Sequence, residues 1–291
     1  MEGGGRPALF VVRIEMLLLR RLSATLAAPL FALSLAFGLA ACGSSEPKVM
    51  PDRPAEDMFN EAMGLMDQDA PADAVKLFDE VDRQHPYSVW ATKAQLLNAY
   101  AYYEMNRYDE AIAALDRFIS LHPGSKDIAY AYYLKALSFY ERIPDITRDQ
   151  SLTNRALNAL QEVVRRFPDS KYARDARLKI DLAYDNLAGK EMEVGRYYQK
   201  RNQPQAAITR YRRVVELYQT TSHVPEALHR LTECYLEVGL TQEAQTAAAV
   251  LGHNFPGSEW YQDSYQLMTG AQLAPVENKS SWMSRTWNSV F

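Results

Sequence analysis

Five histidines, 36 aspartates and glutamates and two cysteines are the side chains of this 291-residue chain from which a catalytic or metal site could be built. A zinc centre needs three or four His, thiolate or carboxylate ligands at short paired spacings. His85, His122 and His253 instead fall at short Pro-containing segments, and His223 and His229 do not complete a metal-ligand set with carboxylate or thiolate partners. There is no GxSxG elbow, no P-loop and no Gly-rich strand-to-helix turn. The acids scatter as they do along solvated helix faces. Cys234 lies in "ALHRLTECYLEVG" with no basic neighbour poised to lower its pKa, so it reads as a small buried apolar residue rather than a nucleophile. The expectation is a chain without catalysis, metal or organic cofactor. That leaves Cys42.

Cys42 stands where an apolar run meets a Ser-, Glu- and Pro-rich segment. Arg20 and Arg21 precede "LSATLAAPLFALSLAFGLAA", the charged and apolar regions of a secretory signal, which makes Met16 the expected start. A retained membrane helix is the other reading of this run. It is opposed by Pro29 and by the small residues before Cys42. Leu39, Ala40, Ala41 and Cys42 resemble the lipobox of bacterial lipoproteins. The alternative is an ordinary signal with a chance cysteine. The lipobox implies cleavage before Cys42 and an N-acyl S-diacylglycerol modification there. Each buried methylene of such chains contributes about 0.8 kcal/mol, so three chains anchor almost irreversibly. Gly43 stands where an inner-membrane retention signal would have Asp, so the expected address is the periplasmic face of the outer membrane. With Cys42 acylated, Cys234 has no disulfide partner.

Residues 1–41 are thus an expected cleaved signal, and 42–54, with three prolines and no apolar periodicity, a tether. Losing Arg6, Arg13, Arg20 and Arg21 against Glu2 and Glu15 takes the net charge from −4 to −6, which argues against nucleic acid as a partner. From Ala55 onward the apolar spacing is helical and strand signals are missing.

That helical region resembles the tetratricopeptide family, whose repeat of about 34 residues is a helical hairpin. Each repeat has a small residue and a large one three later in its first helix. In the second helix an Ala is followed four later by a large residue, and a Pro ends the unit. Ala62, Leu65, Ala74, Phe78 and Pro86 fit, as do Ala99, Tyr102, Ala111, Leu115 and Pro123. Thr232, Tyr235, Ala244, Ala248 and Pro256 fit with two weak positions. A third unit, Ala136 and Phe139 with Ala156, Leu160 and Pro168, carries the long connection "RIPDITRDQSLTN". A fourth, with Gly195, Tyr198, Ala207 and Tyr211, has Gln219 at the Pro position and a first helix extended back to about Tyr172. Small residues let paired helices approach, bulky ones fill the space between hairpins, and Ser in "HPYS", "HPGS", "FPDS" and "FPGS" can cap the next helix. The expected fold is all-α, a right-handed superhelix of five such hairpins, with N-terminal repeats over 55–170, C-terminal repeats over 171–270 and a flexible Trp-containing tail over 271–291.

The tetratricopeptide resemblance implies a concave groove on the first helices. Its N-terminal half would carry Phe59, Met63, Met66, Tyr100, Tyr103, Tyr130, Tyr133 and Tyr140. The C-terminal half turns charged, with Gly189, Met192, Arg196, Gln199 and Lys200, then Glu226, His229, Glu233, Leu236 and Glu237. Tyr and Met suit a peptide site, being large, polar-tipped or adaptable. The same side chains could instead be internal packing. On the second helix of repeat four, Arg210 and Arg213 are three apart and share a face, either as a partner surface or as an exposed pair.

Lipobox, tether and five repeats, with "KALSFYERI", "RDQSLTNRALNALQEVVRRFPDSKYARDA" and "EMEVGRYYQKRNQPQAAITRYRRVVE", resemble the BamD family of lipoproteins of the β-barrel assembly machinery over about 42–258. That resemblance implies a non-catalytic subunit whose first three repeats receive the C-terminal segments of unfolded outer-membrane proteins. It also implies that the last two repeats dock on the POTRA region of the barrel subunit, BamA, with Arg210 at the contact, beside other lipoproteins of the complex. A periplasmic adaptor in cell division or envelope coordination is the alternative, although such adaptors normally use an ordinary secretory signal and a coiled coil. Trp282, Trp287 and Phe291 could bind a neighbouring subunit, fold back on the last repeat or lie at the membrane surface.

Overall fold

The computed structural model describes residues 52–287; the signal, Cys42, most of the tether and Phe291 lie outside them. Among the described residues all regular structure is helical. Five antiparallel pairs follow one another: α1 (Ala55–Asp67) with α2 (Pro71–Gln84), α3 (Val89–Glu104) with α4 (Tyr108–Leu121), α5 (Ile128–Tyr140) with α6 (Ser151–Arg166), α7 (Lys171–Lys200) with α8 (Pro204–Leu217), and α9 (Val224–Glu237) with α10 (Thr241–Asn254). Each helix packs on the next in sequence, and first helices also meet across repeats, α1 on α3, α3 on α5 and α5 on α7. No break separates the third repeat from the fourth.

The repeat is visible in backbone geometry. At the turn within a hairpin, Asp69, Asn106, Asn202 and Gly239 adopt left-handed φ of 58°, 58°, 55° and 81°. Asp, Asn and Gly are the residues that tolerate this region. The amide directly after the left-handed residue, third beyond the helix, reaches back to close a Schellman turn, as from Ala70 N to Leu65 O at 2.9 Å, Arg107 N to Tyr102 O at 2.9 Å and Leu240 N to Tyr235 O at 2.8 Å. Repeat three lacks that turn because its connection, 141–150, is longer. At the outer turns, Ser88, Ser170 and Ser258 accept from the amides of Ala91, Ala173 and Trp260 and cap the next helix. Ser125 differs, accepting from Asp127 N at 3.2 Å. Tyr218, before Gln219, keeps the cap geometry of the residues that precede Pro at the other outer turns, with φ −132° and ψ 44°. Proline is therefore not required there.

The small and large repeat positions make the core. Ala62, Ala74, Ala99, Ala111, Ala136, Ala156, Ala207 and Ala244 are fully buried, with Phe78, Leu115, Leu160 and Tyr211 opposite them. Two elements exceed the five hairpins. α11 (Glu259–Gly270) packs on α9 and α10, and its terminal turn repeats the pattern, with Gln272 at φ 57°. α12 (Trp282–Trp287) lies against α8 and α10. The expected flexible tail is thus corrected: Met283 and Trp287 are buried in the C-terminal core, because two indoles and a thioether find apolar surface on the last repeats.

Candidate functional site

The N-terminal groove residues divide into two groups. Met63, Met66 and Tyr100 line one hollow of about 200 Å³ together with Leu97 and Glu104. Phe59 and Tyr130 line a second of about 260 Å³ with Lys93, Leu96 and, again, Leu97. Phe59 also anchors the core, its ring 5.0 Å from Trp90 and 5.9 Å from Phe78. Leu97 separates the two hollows and was not among the expected residues. It sits one residue beyond a register position, and only the packing of α1 against α3 turns it into the shared wall.

Tyr103, Tyr133 and Tyr140 line neither hollow. Tyr103 donates to Glu141 Oε1 at 3.3 Å; burial, then the Glu141 charge, pushes its phenol up to about 12. Tyr133 donates to Asp175 and stacks on Tyr172 at 5.1 Å, and burial followed by that hydrogen bond raises its pKa. Tyr140 lies under the Lys179 ammonium, 5.5 Å from ring centre to nitrogen. Tyr133 and Tyr140 are held by the long helix α7, whose Tyr172 also contacts Tyr130 at 5.5 Å, whereas Tyr103 is held by Glu141 at the end of α5. The apolar hollows therefore end at a tyrosine cluster rimmed with carboxylates. Such a surface can hold apolar side chains in its hollows and donate or accept hydrogen bonds at its edge.

In the C-terminal half, Gly189 and Met192 are corrected as groove residues. Both are buried, Met192 in the core and Gly189 with space for a Cβ only 3.2 Å from His223. Ile146 of the 141–150 connection and His223 cover Gly189, and Met192 packs into the core shared by α8 and α9. The charged residues form a network instead. Arg196 Nη1 reaches both Glu226 oxygens at 2.9 Å, Arg230 reaches Glu233 at 2.8 Å, and Gln199 donates to Glu233 at 2.9 Å. Burial opposes ionisation of Glu233, but hydrogen bonds from His229, Arg230 and Gln199 outweigh it and hold the carboxyl at about 2. Trp260, Asp263 and Gln266 of α11 complete a wide hollow over this network.

Arg210 and Arg213 do share a face, and both converge on Glu191 of α7, Arg210 on one oxygen and Arg213 on the other, each at 3.2 Å. Glu191 is nearly buried, whereas the arginine side chains remain 34% and 45% exposed. A buried carboxylate that holds two guanidinium groups limits their rotamers and leaves their outer edges available for acidic partners. Glu191 carries no signal in sequence, since its partners lie across the hairpin. Cys234 is buried, and burial followed by the charges of Glu233 and Glu237 pushes its thiol up to about 12, which keeps it unreactive. Among the described residues no group of three His, Cys, Asp or Glu could hold a metal, and no helix is long and apolar enough to cross a membrane.

A family model described as outer membrane lipoprotein (YfiO) matches residues 51–251. The chain is 49% identical over 256 residues to an outer membrane protein assembly factor BamD of Caulobacter vibrioides, covering 88% of this chain and 84% of the relative. It is 43% identical to the protein of the same name from Rickettsia prowazekii, covering 82% and 96%. The Neisseria meningitidis protein of that name (serogroup A) is 34% identical over 81% and 94%. Overlays on solved structures are remote: a thermophilic TPR protein of Thermus thermophilus gives a TM-score of 0.35 at 17% identity, over 75% of this chain and 99% of that one.

Proposed function

The chain belongs to the BamD family of outer membrane protein assembly factors, and from that membership we propose that it is a non-catalytic, lipid-anchored subunit of the β-barrel assembly complex. Its N-terminal repeats receive the C-terminal segments of unfolded outer-membrane proteins. The C-terminal repeats dock on the POTRA region of a BamA-like subunit, alongside other lipoproteins of the complex. Cys42 carries the lipid and holds the body at the periplasmic face. The division-adaptor alternative finds no support among these relatives.

The observation that carries the receptor reading is the pair of apolar hollows on either side of Leu97. An extended peptide places alternate side chains on one face, and two adjoining hollows can take two of them. Leu97→Arg fills the wall between them with a charge without touching the buried core positions. It is expected to weaken binding of a barrel-protein C-terminal peptide about tenfold, in the range of a lost interface anchor, with unchanged circular dichroism and melting. Equal affinity for the variant would remove the hollows from the binding surface.

For the partner surface, support comes from the half-exposed Arg210 and Arg213 held by Glu191. Arg213→Glu is expected to reduce co-purification of the barrel subunit by about tenfold, since reversing an interfacial charge both loses a pair and adds repulsion. Full recovery would make the pair an internal brace only.

A further inference from the structure

Four outer turns share one pattern, "HPYSV", "HPGSK", "FPDSK" and "FPGSE". Where the later turns have Gly124, Asp169 and Gly257, the first has Tyr87; where they have Lys126, Lys171 and Glu259, the first has Val89. Tyr87 is 102% exposed and Val89 74%. Isolated exposed apolar residues are ordinary. Here, however, two apolar residues replace polar or small ones at equivalent positions of one repeated turn, and folding buries neither.

The same turn receives the chain arriving from Cys42. Arg53 N donates to Gln84 Oε1 at 3.0 Å, and the His85 ring reaches the Arg53 carbonyl oxygen at 2.7 Å. The segment from Cys42 to Arg53 spans at most about 40 Å when fully extended. An anchored Cys42 therefore keeps Arg53, and the turn that holds it, within about 40 Å of the bilayer.

We propose that Tyr87 and Val89 form a membrane-interface contact that seats the first hairpin on the lipid surface holding Cys42. The inference rests on the lipid-anchor reading above. Tyrosine is a residue this interface favours, with its ring among the headgroups and its hydroxyl toward water. Tethering by Cys42 makes a small apolar contact effective, because it raises the local concentration of lipid at the turn.

The test uses full-length lipidated protein in phosphatidylethanolamine–phosphatidylglycerol vesicles, carrying an environment-sensitive fluorophore at Tyr87→Cys or, as control, at the exposed Tyr265→Cys of α11. Buried Cys234 stays unlabelled. At position 87 the emission is expected to shift to the blue and to be quenched at least about twofold by spin-labelled lipid, as an interfacial residue requires; position 265 is expected to change in neither respect. If the protein floats with the vesicles and the probe at 87 stays as wet as the one at 265, the membrane contact is overturned. A probe at 87 that lipid never quenches but that added barrel subunit shields also overturns it, in favour of a protein contact. If the lipidated protein floats no better than Cys42→Ser, the anchor reading itself fails, and this contact with it.

Discussion

Tyr211→Ala should destabilise the protein by about 4 kcal/mol in urea unfolding, as expected for a large buried aromatic truncated to alanine. Tyr211 is fully buried between α7 and α9, and its hydroxyl donates to Gln199 Oε1 at 2.9 Å, so the change leaves both a cavity and a lost hydrogen bond. The ring lies directly over Gly195, where an added Cβ would be 2.8 Å from Tyr211 Cδ1 and closer still to Cε1. Gly195→Ala alone should therefore destabilise by about 2 kcal/mol, because overpacking against an immobile ring exceeds the helical advantage of alanine. In the Tyr211→Ala background the clash is gone, and the same Gly195→Ala should become stabilising by up to about 1 kcal/mol, its helix-propensity gain. A Gly195→Ala effect of the same sign and size in both backgrounds would show that this pair does not set the spacing of α7 and α8.

The second large effect concerns the C-terminal segment. Trp287→Ala is expected to cost about 3 kcal/mol and to make 271–291 cleavable by protease under native conditions. Trp287 is 6% exposed and meets Phe255 edge-on at 6.0 Å, while Met283 beside it is fully buried. Trp282 holds the same segment from the other side, its ring 4.1 Å from the Arg212 guanidinium and its indole NH 3.3 Å from Tyr235 Oη. Because Trp282 is only partly buried, Trp282→Ala should cost less, about 1 kcal/mol. Native-state proteolysis and thermal melting read both effects. Cleavage of the wild-type tail at the rate of the Trp287→Ala variant would contradict the packed arrangement.

The hairpins were legible because their causes are local. A small residue opposite a large one, a Pro that ends the hairpin and a Ser after an outer turn each act within one repeat, and periodicity exposes them. Even the 30-residue α7 was readable from its uninterrupted helical spacing. The site was legible only in part. Five of the eight aromatic and Met residues line the hollows, but Leu97 needed the packing of α1 on α3, and Tyr172 needed the backward extension of α7 to lie across α5.

Local spacing therefore settles that this chain is a stack of five helical pairs, with Tyr and Met on the N-terminal first helices and charge on the later ones. Tertiary structure alone decides which of those side chains stay open to a ligand and which are taken up inside. Gly189 is covered by His223 and Ile146, Met192 by α8 and α9, Glu191 is paired with arginines across the hairpin, and the terminal tryptophans are packed against the last repeats. The physical reason is that burial and ion pairing depend on which faces meet when hairpins stack, and that is a relation between segments far apart in sequence.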